Sequence, residues 1–137
     1  MAESAFSNFE SETANHFLED LIINGYGLIG ISLDTILDDS QQPGVIACEE
    51  ALLSAEIIAA ACGKAANDFP DDLLEWMNMN IEQGSNEHSE ILGFREKAAD
   101  AIDKIVTHSE LRELWEESPS YDEWFDAQVA LQNRILD

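Results

Sequence analysis

The residues Asn24 to Ser32, NGYGLIGIS, contain Gly25-x-Gly27-x-x-Gly30, the spacing that lets a backbone approach a dinucleotide pyrophosphate. That chemistry needs a strand before the first glycine and a helix beginning inside the motif, so that helix N–H groups meet the phosphates. Here the preceding residues read as a helix, since Ala14, Phe17, Leu18, Leu21 and Ile22 recur at helical spacing. Residues 1–63 also carry eleven acids and no Lys or Arg, so a phosphate ligand would meet only negative charge. Gly25, Gly27 and Gly30 are therefore expected to form a helix stop and a tight interhelical connection, and no cofactor is expected.

Glu12, His16 and Asp20 form a second constellation. Spaced at i−4 and i+4, they fall on one helix face and could offer a metal two carboxylates and an imidazole, the centre of a metal-assisted enzyme. No HExxH, paired Glu-x-x-His or Cys–His set accompanies them. The pairs Asp38-Asp39, Glu49-Glu50, Asp71-Asp72 and Glu116-Glu117 are adjacent in sequence and diverge on a helix, so none is an acid–base couple. His88 and His108 stand near helix starts without evident partners. No catalytic residue and no metal site is assigned, and the enzyme centred on Glu12, His16 and Asp20 stays as the alternative. Cys48 and Cys62 would lie roughly 21 Å apart on one helix, too far for a disulfide, and read as buried thiols.

Charge points elsewhere. Twenty-nine Asp and Glu against six Lys and Arg give a net charge of −23. Nucleic-acid phosphate and anionic membranes are repelled by such a surface, whereas a basic protein is steered toward it, with binding weakened by salt. The reading this favours is a non-enzymatic, acidic protein-binding module of the immunity or inhibitor type, which neutralises a basic target such as a nuclease toxin by placing carboxylates where phosphate would sit. Candidate contacts are Glu110, Glu113, Glu116, Glu117, Asp122, Glu123 and Asp126, with Trp115 or Trp124 as apolar anchor. Acidity serving solubility alone is the competing explanation. Homo-oligomerisation stays open. The start, MAESAFSNFE, lacks the basic and apolar segments of a signal peptide and no run of about 18 apolar residues exists, so a cytoplasmic location is expected.

The elements that must position these residues are helices. Ser11 can cap a helix that stops at Asn24-Gly25, and the GLIGISLDTILDD segment leans toward a short helix. Gln41-Gln42-Pro43-Gly44 is a turn. From Val45 to Cys62, Cys48, Ala51, Leu52, Ala55, Ala59 and Cys62 form one stripe, with Gly63 as terminator. Pro70 opens a helix with Leu74, Met77 and Ile81 inward, broken at Gly84-Ser85-Asn86. One long helix runs from about Glu87 to Val106 with Ile91, Phe94, Ala98, Ile102 and Ile105 inward. Thr107-His108-Ser109-Glu110 and Ser120-Tyr121-Asp122-Glu123 fit capping boxes for two further helices, the last carrying Trp124, Ala127, Leu131 and Ile135. The expected fold is all-α, a single compact domain over residues 1–137 with about six helices around a central alanine-rich one.

Four segments carry a resemblance. Phe9-Glu10-Ser11-Glu12-Thr13-Ala14-Asn15-His16-Phe17 is similar to F-E-N-D-x-A-x-D-W, the opening of the bacterial family known as domain of unknown function 4259. Ala51 to Ala61 resembles that family's alanine-rich helix. Pro70-Asp71-Asp72-Leu73-Leu74-Glu75-Trp76 resembles its P-x-x-L-x-x-W, and Ser109 to Glu117 its S-E-L-R-E-L-W-E-E. The pattern departs where the family has W-G before the Phe, here Ser4-Ala5, and where its Asn, Asp and Trp are replaced by Ser11, His16 and Phe17. The resemblance implies an all-α domain and a bacterial origin, and no activity.

Overall fold

Helix order follows from where each helix can be capped and what it can bury. The computed structural model describes residues 7–9, 11–38, 42–82 and 84–136; Ser4, Ala5, Glu10, Asp39 and Gln41, named above, lie outside them. Among the described residues there are eight helices and no strand: α1 Glu12–Asn24, α2 Gly27–Leu37, α3 Val45–Ala61, α4 Asp71–Asn80, α5 Asn86–Leu92, α6 Arg95–Thr107, α7 Glu110–Glu116 and α8 Tyr121–Leu136. The all-α class is as expected. The short helix in the GLIGISLDTIL segment forms as α2, and the long helix expected from Glu87 to Val106 divides at Gly93-Phe94 into α5 and α6.

That division has a local cause. A Cβ on Gly93 would stand 3.2 Å from the Glu90 carbonyl oxygen, a tight approach that glycine avoids where the chain turns. The turn sets the Phe94 ring against Gly30 of α2, where an added Cβ would approach Phe94 Cζ to 3.0 Å. Gly30 is thus a contact between helices and not part of a connection, whereas Gly25, at φ +90°, does stop α1.

Caps explain the other boundaries. Ser11 Oγ accepts the Ala14 N–H at 3.0 Å and opens α1. At the end of α3, Gly63 (φ +86°) and Lys64 donate to the carbonyls of Ala60 and Ala59, both at 2.9 Å, which is the Schellman closure. Ser109, and not Thr107, caps α7 by accepting the Arg112 N–H at 3.0 Å. Thr107 belongs to α6 and turns its hydroxyl back to the Asp103 carbonyl. In α4 the inward residue is Leu73 in place of Leu74, with Met77 and Ile81 as expected, and in α1 Ile22 faces solvent.

The centre is α3. It packs against α1, α2, α5, α6, α7 and α8, and every residue from Ala51 to Ala59 is buried. A one-sided stripe, as the spacing of Cys48, Ala51, Leu52, Ala55 and Ala59 suggests, is therefore too narrow. Alanine and Ser54 keep the helix thin enough for neighbours on all sides; Ser54 Oγ meets Ser32 Oγ of α2 at 2.6 Å.

Inside this apolar cylinder sits a carboxylate. Glu56 is 4% exposed. It receives Arg134 Nη2 of α8 at 3.2 Å and Asn8 Nδ2 at 2.9 Å. Asn8 exchanges two further bonds with the fully buried Gln128 of α8, at 3.0 and 3.1 Å. Arg134 also donates to the Lys64 carbonyl at 3.0 Å. Burial raises the Glu56 pKa above the usual carboxylate range, while Arg134 and Asn8 act in the opposite direction. The network fastens the segment before α1 to α3 and α8.

Three outcomes follow from these contacts. A carboxyl whose pKa is higher folded than unfolded is least costly when protonated. The stability of the wild type relative to Glu56→Gln should therefore be greatest at and below the ordinary carboxylate range and decline as pH rises through the folded value. Arg134→Ala, which strands the buried charge, should cost about 3 kcal/mol at neutral pH and less near pH 5, as read by urea denaturation. Gly30→Ala should destabilise by about 1 kcal/mol through overpacking against Phe94, yet stabilise by about 0.5 kcal/mol in a Phe94→Ala background, where helix propensity alone remains; thermal melts of the four proteins decide it.

Candidate functional site

A cavity of about 280 Å³ opens between the segment preceding α1 and helices α3, α7 and α8. Its position follows from how α7 is held. The Glu110 N–H bonds to the Pro43 carbonyl at 3.0 Å, fixing the start of α7 beside the loop that leads into α3. Leu111 and Trp115, four residues apart, then share the inward face. Leu111 is buried, and Trp115 is half-buried with its ring stacked on Trp124 of α8 at 6.3 Å and 10°. Tyr121 backs Trp124 from the same helix at 6.0 Å.

The lining is aromatic and apolar on one side and polar on the other. Leu52, Leu111, Trp115 and Trp124 supply the apolar wall; Ser7, Asn8, Ser11, Ser120, Glu49 and Glu123 supply hydroxyls, an amide and two carboxylates. No Lys, Arg or His is among these residues. Trp124 Nε1 is buried with no hydrogen-bond partner, a deficit that costs about 1–3 kcal/mol in a protein interior.

The residues expected to meet a partner separate into two groups. Glu110, Glu113, Glu116, Glu117, Asp122, Glu123 and Asp126 are all exposed. Of these, Glu113 accepts from Gln42 at 3.0 Å and Glu116 stands 3.8 Å from Arg112 Nη1. Trp124 is fully buried and cannot serve as a surface anchor, because Trp115 and Tyr121 lie over it. Trp115 is the tryptophan of the pair that reaches both cavity and surface. The cavity residues Glu49, Ser7, Asn8, Ser11, Ser120 and Leu52 carry no sequence signal of a site; Glu49 reads there only as half of a surface pair. The structure separates that pair, with Glu49 at the cavity and Glu50 near Asp20 of α1; burial, with the Asp20 charge added to it, raises the Glu50 pKa.

The other constellations yield less chemistry. Glu12, His16 and Asp20 are exposed along α1, and among the described residues no group of three or more His, Cys, Asp or Glu could hold a metal. His88 has partners after all. Nε2 lies 3.0 Å from the Ala61 carbonyl and Nδ1 receives the Gly84 N–H at 3.4 Å, so both ring nitrogens are engaged where it lines a second cavity of about 300 Å³ with Met77, Ile81 and Glu82. α2 begins at Gly27, inside the motif, but a helix and not a strand precedes it, so the strand that a dinucleotide site requires is missing from that segment. Cys48 and Cys62 are free thiols, Cys48 buried and Cys62 half-buried. Burial pushes the Cys48 thiol up to about 11, opposed by hydrogen bonds from Ser109 and Leu111.

Five positive side chains are held by the protein's own groups. Arg95 donates to the Ile135 carbonyl at 2.9 Å, Lys104 to the Asp38 carbonyl at 3.0 Å, and Lys97 pairs with Asp34 at 2.7 Å. Arg112 binds the Thr107 carbonyl and Tyr121, and Arg134 binds Glu56.

Fold and site together define an all-α acidic domain with an indole-walled cavity. The chain belongs to the family described as Domain of unknown function (DUF4259), whose model matches residues 5–127. Neither the curated proteins nor the solved structures contain a match to the chain. Three of the four segments that carry the family resemblance supply cavity residues: Ser11 from the first, Leu52 from the alanine-rich helix, and Leu111 and Trp115 from the last.

The thiols give a direct test of the packing here. At pH 8, iodoacetamide should alkylate Cys62 in the native protein and leave Cys48 intact until denaturant unfolds α3, with peptide mass spectrometry reporting both sites.

Proposed function

We propose that the protein is a non-enzymatic, acidic binding module that engages and neutralises a basic protein in the bacterial cytoplasm, in the manner of an immunity or inhibitor protein. The observation that supports this reading most directly is the disposition of charge. Arg95, Lys97, Lys104, Arg112 and Arg134 are bound to the protein's own carbonyls, hydroxyls and carboxylates, while Glu110, Glu117, Asp122 and Asp126 stand exposed around the α7–α8 corner. A net charge of −23 is thus displayed with little to offset it. Carboxylates so arranged can occupy the positions where a basic protein receives phosphate, and they accelerate encounter by long-range attraction. No helix among the described residues is long and apolar enough to cross a membrane.

Affinity capture from the source cell's lysate at low salt, followed by a salt gradient, tests the reading. A stoichiometric basic protein should elute, its association slowing at least about ten-fold between roughly 50 and 500 mM salt. Reversal of Glu113, Glu117 and Asp126 to Lys should abolish capture while the thermal melt stays cooperative. Capture insensitive to both salt and charge reversal, or no basic protein at all, refutes it.

A further inference from the structure

We propose that the cavity walled by Trp115 and Trp124 receives one arginine side chain of the basic partner. The inference rests on the proposed function and adds the chemistry of the contact. The charged groups lining the cavity are the carboxylates of Glu49 and Glu123, so its occupant is cationic. Glu49 is half-buried on α3 and has no cation paired with it among the described residues.

Shape selects among cations. The apolar wall presents the half-buried Trp115 indole, held in place by stacking on the fully buried Trp124. A guanidinium is planar, weakly hydrated and stacks on such a surface, while its fixed fork of N–H donors suits carboxylates and hydroxyls; an ammonium is a compact, strongly hydrated point charge. Acceptors are present at Glu49, Glu123, Ser7, Ser11 and Ser120. At about 280 Å³ the space falls at the small end of ligand sites, suited to one side chain and too small for a cofactor. Trp115 then acts as the aromatic hot spot inside a ring of exposed acids, the arrangement that lets a few residues dominate an interface.

The probe is N-acetyl-arginine amide, titrated into ¹⁵N-labelled full-length protein with the indole N–H resonances as readout, beside the neutral isostere N-acetyl-citrulline amide and N-acetyl-lysine amide. The arginine compound should shift the Trp115 and Trp124 resonances saturably, with a dissociation constant on the order of 1 mM. The citrulline compound should bind at least about ten-fold more weakly and the lysine compound about three-fold more weakly. Trp115→Leu should remove binding. Because that change disturbs the indole stack, Glu49→Gln with Glu123→Gln provides the second variant, expected to weaken arginine about ten-fold and leave citrulline unchanged. Equal binding of arginine and citrulline, indoles that do not respond up to about 50 mM ligand, or full affinity in the double variant overturns the proposal. If a basic protein is captured while the cavity ignores arginine, this inference falls and the proposed function stands. If arginine binds the cavity but nothing basic is captured, the proposed function falls and the arginine site stands.

Discussion

Six helices pack against α3, and the rest of the molecule is arranged around that enclosed helix. Ala51, Ala55, Ala59 and the Ser54–Ser32 contact let neighbours approach closely, while Leu52, Leu53, Ile57 and Ile58 fill the space between them. Interiors pack near crystalline density, so close approach on one side leaves little freedom on the others. Gly30 beneath Phe94 is a second close approach, between α2 and the α5–α6 turn. Glu56 departs from the pattern. A carboxylate is expensive at such a place, and Arg134, Asn8 and Gln128 offset its desolvation by tying α8 and the N-terminal segment to the centre.

Most of this architecture is legible in the residues. Helical periodicity in α1, α3, α6 and α8, the stop at Gly25 and the closure at Gly63 rest on local chemistry that the sequence displays directly. What local chemistry cannot show is direction. Leu73 and Leu74 are equivalent to a periodicity argument, and the choice between them is made by which face meets the core. Thr107 and Ser109 are both competent caps, but Thr107 is already held in the last turn of α6 by the Asp103 carbonyl. The partition of Glu87 to Val106 falls at Gly93-Phe94, where the Phe94 ring packs against Gly30 of α2, a tertiary contact that a glycine in a helical pattern leaves undecided.

The candidate site was less legible for a related reason. Its residues come from four separate stretches of chain, and only the α7 and α8 contributions carry aromatic or acidic patterning. Glu49 looks like a member of a solvated pair until α7 is laid beside it by the bond from Glu110 to Pro43. Trp115 and Trp124 look interchangeable in sequence, since each follows acids in an amphipathic segment. Stacking and burial assign them different tasks, Trp124 as the enclosed support and Trp115 as the half-buried face at the cavity.

Acidity connects the surface to the cavity. A chain of 15.2 kDa with a net charge of −23 repels itself when compact, and that repulsion opposes folding. Arg134 is committed to Glu56 and Arg95 and Lys104 to backbone carbonyls, while Lys97 and Arg112 meet Asp34 and Glu116 near the surface, so few cations are left to offset the acids of the α7–α8 corner. A basic partner seated there would remove repulsion at the same time as it makes contacts. By linkage, its binding would then stabilise the fold by more than the interface contacts alone would supply.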